Sequence, residues 1–421
     1  MTSTPGTAPV ERKHVKPGPL RRAPTVRCGA ARHPSSAAAQ GAAELALVTT
    51  REAFAHLEAE WNDLFARAGR GTQLFQTFGW CWHWYDHYRD SAGTLAIVTA
   101  RRDGRLVLAW PLVSYRRAGV RILAAAGNPV SQYSDALIDC GSDADGLLAE
   151  AWSKAVGTLK PDLVWLPHVR DDAAIAPFVS TLGGLVTQRL TAPYLDLASA
   201  ADLTARLQRQ SPRSRKKQRA AARRLAKLGA VQFTEHRQGP AAGTLATAAI
   251  DMKRRQLAAR GTLSPAYADA RLAPFFAGAA GDQRHAAGMR VFALECDGAN
   301  AAIDILVACK DRIATHVLAY DPAFGRDSVG TQLLHHAIES AAAEGLRTFD
   351  LMAPADGYKL RIADGTVAVV DWAIPLSAKG AAFARLCHVL ARPMLKRAAA
   401  ALPASVRRLA GRYLYRRYLA S

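Results

Sequence analysis

The first half of the sequence alternates between helical and strand periodicity in its apolar residues. Apolar positions between 52 and 68 recur at a spacing close to 3.6 residues, which predicts an amphipathic helix. An aromatic-rich helix follows, and then apolar runs typical of strands. The predicted helices lie at 52–68, 78–88 and 144–158, and the predicted strands at 94–100, 106–114, 120–126, 136–139 and 162–167.

The second half repeats this order of elements. In both halves an Asp-Gly pair separates the first two strands of the triplet, at Asp103-Gly104 and at Asp297-Gly298, and this pair is a strong signal for a hairpin turn. The shared order indicates a duplicated α/β domain, and coincidence within an α/β chain is the alternative. The predicted helices lie at 244–259, 267–279 and 330–343, and the predicted strands at 289–296, 301–309, 313–320, 347–352 and 366–374.

Segments outside these patterns divide the chain further. Residues 1–43 are rich in Pro, Ala, Ser, Gly and Arg without hydrophobic periodicity, which predicts a disordered basic segment. Domains are predicted at 44–200 and 230–378. A basic helical linker, 201–229, separates them, and either a solvated linker or an anion-binding arm fits its charge. A basic helical tail, 379–421, follows the second domain. Its pattern fits either a helical cap on the core or a surface that contacts anionic lipid.

Charge and cysteine usage restrict the classes of partner. The net charge of +20 indicates an anionic partner, such as a phosphate-bearing cofactor, nucleic acid or an acidic membrane. The cysteines are widely separated with no C-x-x-C pair, which predicts neither a metal site nor a disulfide framework. No apolar run approaches the ~20 residues that span a bilayer. A cytoplasmic protein is therefore expected, with peripheral contact at the inner face of the membrane as an open alternative.

The segment 313–343 carries the clearest chemical signal. An apolar strand passes through a polar loop into a helix N-terminus, where free backbone N–H groups and the helix dipole attract phosphate. Arg326 supplies positive charge, Ser328 and Thr331 supply hydroxyls, and Gly330 allows close approach of the backbone. No P-loop and no G-x-G-x-x-G motif at a strand–helix junction is present. Ser328 lacks the context of a hydrolase nucleophile.

Longer stretches of residues 44–375 resemble a known family. The stretches are FQTFGWCWHWYDHY, SQYSD, SPRSRKKQRAAARRLAKLG and AYDPAFGRDSVGTQLLHHAIESAAAEGLRTFDLMAPADGYKLR. Together they resemble the GNAT-like acetyltransferases of the CelD/BcsL type, which are related to the FemAB-type transferases. The resemblance implies an α/β fold of two tandem GNAT-like (acyl-CoA N-acyltransferase) domains, with mixed sheets flanked by helices. The sequence departs from the family at Val329, where Pro is usual, and in the turn MAPAD.

The resemblance also implies roles for individual residues. A base must deprotonate the acceptor, and an acid must protonate the departing thiolate. Asp304 lies on a neighbouring predicted strand, and the alternative to a place near the site is that it simply faces solvent. The candidate catalytic residues are Asp350, Tyr358, Lys359 and His316. The candidate cofactor-binding residues are Leu318, Tyr320, Arg326, Ser328, Val329, Gly330 and Thr331, and the candidate acceptor-binding residues are Gln132, Tyr133 and Asp135.

These features predict an acyltransferase. The donor is acyl-CoA, with acetyl-CoA as the first choice, and no metal is expected. The acceptor is an amine or hydroxyl of a sugar, polysaccharide precursor or amino compound, in envelope or exopolysaccharide biosynthesis. Two alternatives stay open, a FemAB-like transferase that uses aminoacyl-tRNA and a non-catalytic scaffold of polysaccharide synthesis. The sequence does not determine the oligomeric state.

Overall fold

The computed structural model describes residues 21–22, 42–139, 144–197 and 212–415. Most of the segment predicted to be disordered, 1–43, lies outside these residues. Residues 198–211, which include the first part of the predicted linker (201–211), lie outside them as well. Strand β1, Arg21–Arg22, pairs in parallel with Gly365 and Thr366 near the centre of the main sheet.

Helices of the first half begin where short polar side chains satisfy free N–H groups. Thr50 accepts a hydrogen bond from the Ala53 amide, and Thr77 accepts one from the Trp80 amide, so both act as N-caps. The helices are α1 (Arg51–Ala55), α2 (Glu58–Ala68), α3 (Phe78–Ala92), α4 (Ala144–Leu159) and α5 (Ala176–Thr181). The strands are β2 (Glu44–Val48), β3 (Thr94–Leu95), β4 (Ile97–Arg102), β5 (Arg105–Trp110), β6 (Leu112–Arg117), β7 (Val120–Ala125), β8 (Leu137–Ile138), β9 (Leu163–Arg170) and β10 (Leu185–Asp196).

The second half has the same alternation, followed by a helical tail. The helices are α6 (Pro212–Leu225), α7 (Pro240–Arg260), α8 (Pro265–Ala268), α9 (Leu272–Gly281), α10 (Val329–Ala343), α11 (Gly357–Ile362), α12 (Ala378–Phe383), α13 (Arg392–Ala401) and α14 (Ala404–Tyr415). A 3₁₀ turn covers Pro322–Asp327 and a π-helical segment covers Ala384–Ala391. The strands are β11 (Val231–Arg237), β12 (Met289–Cys296), β13 (Ala299–Cys309), β14 (Arg312–Tyr320), β15 (Thr348–Asp350) and β16 (Gly365–Pro375).

One continuous sheet joins the two halves. Its strand order is β11-β12-β13-β14-β15-β10-β16-β9-β7-β6-β3, and a smaller sheet has the order β2-β4-β5-β8. At the centre the halves exchange strands, because β10 of the first half lies between β15 and β16, and β16 pairs with both β10 and β9. The predicted strand 366–374 therefore belongs to both halves of the sheet. The domain boundaries stay a prediction.

The predicted strands differ from the observed ones at two kinds of position. The run 106–114 is divided at Pro111, which has no N–H for a ladder, and there the chain passes from the small sheet into the large one. No strand was predicted at β10 or β11. Strand β10 contains Pro193, which weakens its strand signal, and β11 is a partly exposed edge strand with little apolar pattern.

Candidate active site

A cavity of about 530 Å³ opens beside the C-terminal part of β14. Its walls come from β14, the 3₁₀ turn, the start of α10, one face of α7, and residues 356–359. The volume falls within the range of small-molecule sites, roughly 300–1,000 Å³. The predicted strand–loop–helix segment therefore forms one wall, and α7 supplies the opposite wall.

Strand β14 exposes a backbone edge to this cavity. It pairs with β15 through Arg312, Ile313 and Ala314, and β15 then ends at Asp350. The remainder of β14 diverges from β15. A β-bulge against β13 occurs at His316, between the pairs Ile305–Val317 and Leu306–Thr315. Bulges change the direction of a side chain and bend a strand, and this one lies at the wall of the cavity.

The start of α10 forms the end of the cavity. Ser328 has left-handed backbone geometry (φ 54°) and precedes the helix without a side-chain cap, so the first turn keeps N–H groups for another acceptor. A Cβ at Gly330 would lie 3.4 Å from the Tyr320 ring and 3.9 Å from Leu318, and both of these residues line the cavity. An acidic side chain at residue 330 would therefore project into the cavity.

Helix α7 contributes three polar residues that the sequence interpretation missed. Lys253, Gln256 and Arg260 lie at i, i+3 and i+7, which places them on one helix face. The Lys253 ammonium donates to the Leu318 carbonyl at 2.7 Å, and burial lowers the pKa of Lys253 to about 8. The Arg260 guanidinium donates to the Tyr320 hydroxyl. The sequence signal that could have identified these three residues is their helical spacing on one face of an otherwise Ala-rich helix.

Asp304 is fully buried next to the cavity wall, so the solvent-facing alternative is wrong. The Thr315 hydroxyl bonds to the Asp304 carboxylate, at 2.8 and 2.9 Å from its two oxygens, and Thr315 itself lines the cavity. Burial raises the pKa of Asp304 to about 7, although the hydroxyl and the charges of Lys253 and Lys359 oppose the rise. A carboxyl group with this pKa can accept or release a proton near neutral pH.

Tyr358 and Lys359 both line the cavity, as Asp356 does. Burial, with the charges of Asp304 and Asp356, raises the pKa of Tyr358 to about 12, so the phenol stays protonated at neutral pH. The Lys359 ammonium is buried and donates to the carbonyls of Met352 (3.0 Å) and Pro354 (3.1 Å). Burial lowers the pKa of Lys359. Through these two hydrogen bonds Lys359 holds the turn that follows β15 in place.

His316 lies among aromatic rings at the cavity wall. The rings of Phe75, Trp80 and Phe276 are 5.2–5.7 Å from its own ring centroid. Its Nε2 lies 2.7 Å from the Val130 carbonyl and donates to it, which leaves Nδ1 with the lone pair. Burial lowers the pKa of His316 to about 4, so the ring is neutral at physiological pH. A base of such low pKa is weaker than Asp304.

Asp350 does not line the cavity and lies in a buried ion network between the two halves. Its carboxylate accepts from Arg170 (2.8 Å), Arg312 (3.1 Å) and the Tyr133 hydroxyl (2.9 Å). Arg170 also binds Asp172 through two hydrogen bonds. The geometry gives Asp350 a structural contact across β9, β14 and β15, and its predicted role as a base receives no support from these contacts.

The predicted acceptor-binding residues are not gathered in a groove. Tyr133 is 1% exposed and contacts Asp350, and Asp135 is 5% exposed and accepts from the amides of Ala136, Ala174 and Ile175. Gln132 between them is partly buried. Of the predicted cofactor-binding residues, Leu318, Tyr320, Ser328, Val329, Gly330 and Thr331 line the cavity.

Arg326, the remaining predicted phosphate ligand, is exposed on the 3₁₀ turn and does not line the cavity. Its carbonyl accepts from the Arg224 guanidinium of α6 at 2.6 Å, and Arg224 also pairs with Asp327 at 3.0 Å. Arg260 is therefore the arginine that faces the cavity. In the described part of the chain, no cluster of three or more His, Cys, Asp or Glu side chains is placed to hold a metal ion.

Comparison with known proteins shows what parts of this chain are similar to. Residues 212–360 match the acetyltransferase (GNAT) domain family. The fold is similar to the crystal structure of FemX, with a TM-score of 0.55 at 10% identity over 82% of this chain and 100% of FemX. No curated protein sequence matches this chain. These findings confirm the predicted fold class of two GNAT-like domains and place a GNAT acetyltransferase domain in the chain; the CelD/BcsL type stays a prediction.

Two further solved structures are similar at lower TM-scores. A tandem GNAT protein from the clavulanic acid biosynthesis pathway superposes with a TM-score of 0.44 at 14% identity, over 79% of this chain and 98% of that protein. L-PGS from Bacillus licheniformis superposes with a TM-score of 0.46 at 10% identity, over 80% of this chain and 96% of that protein. Neither superposition is close enough to support a further conclusion.

Proposed function

We propose that this protein transfers an acyl group, acetyl in the simplest case, from acyl-CoA to an amine or hydroxyl. The supporting observation is the cavity itself, in which the unpaired edge of β14 leads to the uncapped start of α10. The carbonyl oxygen of the Gln256 side chain adds to this fit, because Gln256 is 4% exposed and this oxygen is buried without a hydrogen bond. It can accept from an amide N–H of a pantetheine arm.

The cavity residues divide into binding and proton-transfer groups. N–H groups at the start of α10 and the Arg260 guanidinium attract phosphate oxygens. Acyl-CoA supplies an activated thioester. Asp304, through the Thr315 hydroxyl, accepts the proton that the acceptor amine loses. Lys253, with its pKa of about 8, is better matched than Tyr358 to return a proton to a thiolate.

The proposed acceptor is a small amine or hydroxyl compound. The resemblance to the CelD/BcsL type favours a sugar, polysaccharide precursor or amino compound of the cell envelope. We infer that the acceptor approaches beside Thr315 and His316 of β14 and the Tyr358 side chain, which line the same cavity. A neutral amine is the reactive form, so removal of one proton near neutral pH suits Asp304.

Calorimetry with a panel of short acyl-CoA thioesters tests the donor. Wild type should bind at least one of them, and Gly330→Glu should weaken binding by more than about 100-fold, because a buried carboxylate repels phosphate. The matched control is Gly157→Glu in α4, where a Cβ meets nothing within 4 Å. Absence of binding by wild type to every thioester would overturn the proposal.

One observation favours an aminoacyl-tRNA donor as a second candidate. Helix α6 presents Arg213, Lys216, Lys217, Arg219 and Arg223 to solvent and is fixed to the 3₁₀ turn of the cavity by Arg224. A cationic helix at the cavity suits an RNA backbone, and its binding would weaken steeply with salt. Salt-sensitive tRNA binding without any acyl-CoA binding would establish this candidate in place of the first.

A further inference from the structure

The C-terminal helices hold most of the exposed apolar side chains of the described protein. Fifteen large hydrophobic residues are exposed in the described part of the chain, and ten of these lie between Leu386 and Leu414. The most exposed are Leu395 (69%), Leu409 (71%) and Tyr413 (68%). Isolated exposed apolar residues are ordinary on protein surfaces, but such a concentration indicates a contact surface.

This segment is anchored to the folded core at both ends. Phe383 and Ala384 are buried at its beginning. At its end Tyr415 is fully buried, and its hydroxyl accepts from the Ser264 amide (2.9 Å) and donates to the Thr262 carbonyl (3.1 Å). The exposed apolar face is therefore the outer side of docked helices.

The charge of the segment specifies the kind of partner. Residues 381–421 contain nine Lys/Arg and no Asp or Glu. Arg385, Arg397, Arg408 and Arg412 are exposed among the exposed leucines. Helices that combine an apolar face with Lys and Arg bind in the headgroup region of anionic bilayers, through burial of apolar area and attraction to lipid phosphate.

We propose that residues 384–415 form a membrane-docking surface that lies on an anionic bilayer. Within the described residues no helix is long and apolar enough to cross a membrane, so the contact is peripheral. Two other occupants of this surface are disfavoured by charge. Residues 1–41 carry seven Lys/Arg and one acid, so they would be repelled by the basic surface. A second copy of the same surface would be repelled for the same reason. An anionic lipid surface satisfies both the apolar area and the charge, whatever the acyl donor is.

Vesicle flotation of the full chain tests this surface. Wild type should float with vesicles of phosphatidylcholine mixed with phosphatidylglycerol and far less with phosphatidylcholine alone. The triple variant Leu386→Gln, Leu395→Gln, Leu409→Gln should bind more than about tenfold more weakly, because three exposed leucines no longer enter the lipid. Replacing the four exposed arginines by Gln should remove the preference for phosphatidylglycerol.

Leu228→Gln is the matched control, because Leu228 is 59% exposed and lies outside the segment; its flotation should equal that of wild type. Acyl-CoA binding should be unchanged in all variants, which separates this proposal from the proposed function. Wild type that does not float with anionic vesicles, or a triple leucine variant that floats as wild type does, overturns the proposal. Light scattering that shows a dimer dissolved by the leucine substitutions overturns it in favour of self-association.

Discussion

Each half contains one parallel strand pair, β14–β15 in the second half and β7–β9 in the first, and each pair is joined over three residues. The chain that follows the first strand of each pair differs between the halves. After β14 the chain enters the 3₁₀ turn and starts α10 at Val329. After β7 it runs through residues 131–136, which are mostly buried against α3 and the segment before it. There Trp80 donates to the Ser131 hydroxyl (2.9 Å) and Gln76 donates to the Tyr133 carbonyl (3.2 Å).

The difference between the halves is chemical, since both have a cavity of similar size. A second cavity, about 510 Å³, lies beside β7 and β9 and is lined by Trp84, Tyr88 and Trp165, with Arg271 above the Tyr88 ring. The helix start that lines it is that of the four-residue α8, at Pro265 and Ala266, and Pro265 has no N–H to offer a phosphate. The first cavity combines a helix N-terminus, a glycine and a buried Asp–Thr pair. A duplicated fold therefore supplies two openings, and the residues after the strand determine which one suits a phosphate-bearing ligand.

The largest expected effect concerns the ion network that connects the two strand pairs. Arg170→Met removes the buried cation that Asp350 and Asp172 share, while Arg312 still pairs with Asp350, and should lower the free energy of unfolding by about 3 kcal/mol. Denaturant unfolding measures this change. Arg51→Met removes an exposed pair with Asp86 and should cost less than about 1 kcal/mol. Equal losses in the two variants would show that the network does not hold the halves together.

The next effect compares one buried carboxylate from each half. Asp304→Asn should lower kcat by about 100-fold or more while acyl-CoA binding is kept, because the base is removed. Asp135→Asn should leave kcat near wild type, because Asp135 bonds backbone amides of residues that do not line the cavity. Steady-state kinetics of both variants measure the contrast, and an equal loss of kcat would reject Asp304 as the base.

The pH dependence of wild type follows from the raised pKa of Asp304. The base must be ionised, so kcat should rise with pH through about 7. Folded Asp304 keeps a proton that the unfolded chain has lost above about pH 4, so its contribution to stability is present below pH 4 and is lost as pH rises through 7. The change in melting temperature from wild type to Asp304→Asn should therefore be more positive at pH 8 than at pH 5. Identical shifts at both pH values would contradict the assignment.

A smaller effect is expected for Lys253→Met. The ammonium holds the β14 carbonyl of Leu318 and is the better matched proton donor, so kcat should fall by about tenfold. The decline of activity above the pKa of about 8 should disappear in the variant. A pH–rate profile measures both. An unchanged alkaline limb would assign the donor to Tyr358.

The smallest effect distinguishes two arginines. Arg326→Ala should change acyl-CoA affinity by less than about twofold, since Arg326 is exposed outside the cavity. Arg260→Ala should weaken binding by about tenfold, because Arg260 faces the cavity and a charge-assisted contact contributes about 1.5 kcal/mol. Calorimetry compares the two affinities. The reverse order would restore Arg326 as the phosphate ligand.

The sequence by itself determined the order of elements in each half and the strand–loop–helix segment at 313–343. These are local properties, because the spacing of apolar residues sets the type of an element, and a helix start is encoded by the few residues around Ser328 and Gly330. The duplicated order followed from them, whereas the GNAT-like fold class followed from the resemblance of longer stretches to a known family. Of the predicted catalytic residues, His316 within this segment and Tyr358 and Lys359 after it line the cavity, and their roles stay predictions.

Only the tertiary structure decided which distant residues share a site. Lys253 and Arg260 reach the cavity because α7 packs against β14, and Asp304 is buried beneath it because β13 and β14 pair. Asp350 was expected to face an acceptor, but strand exchange brings Arg170, 180 positions away in sequence, against it. Periodicity shows which face of an element is buried but does not identify the element that covers that face, and this covering element determines the role of each polar residue.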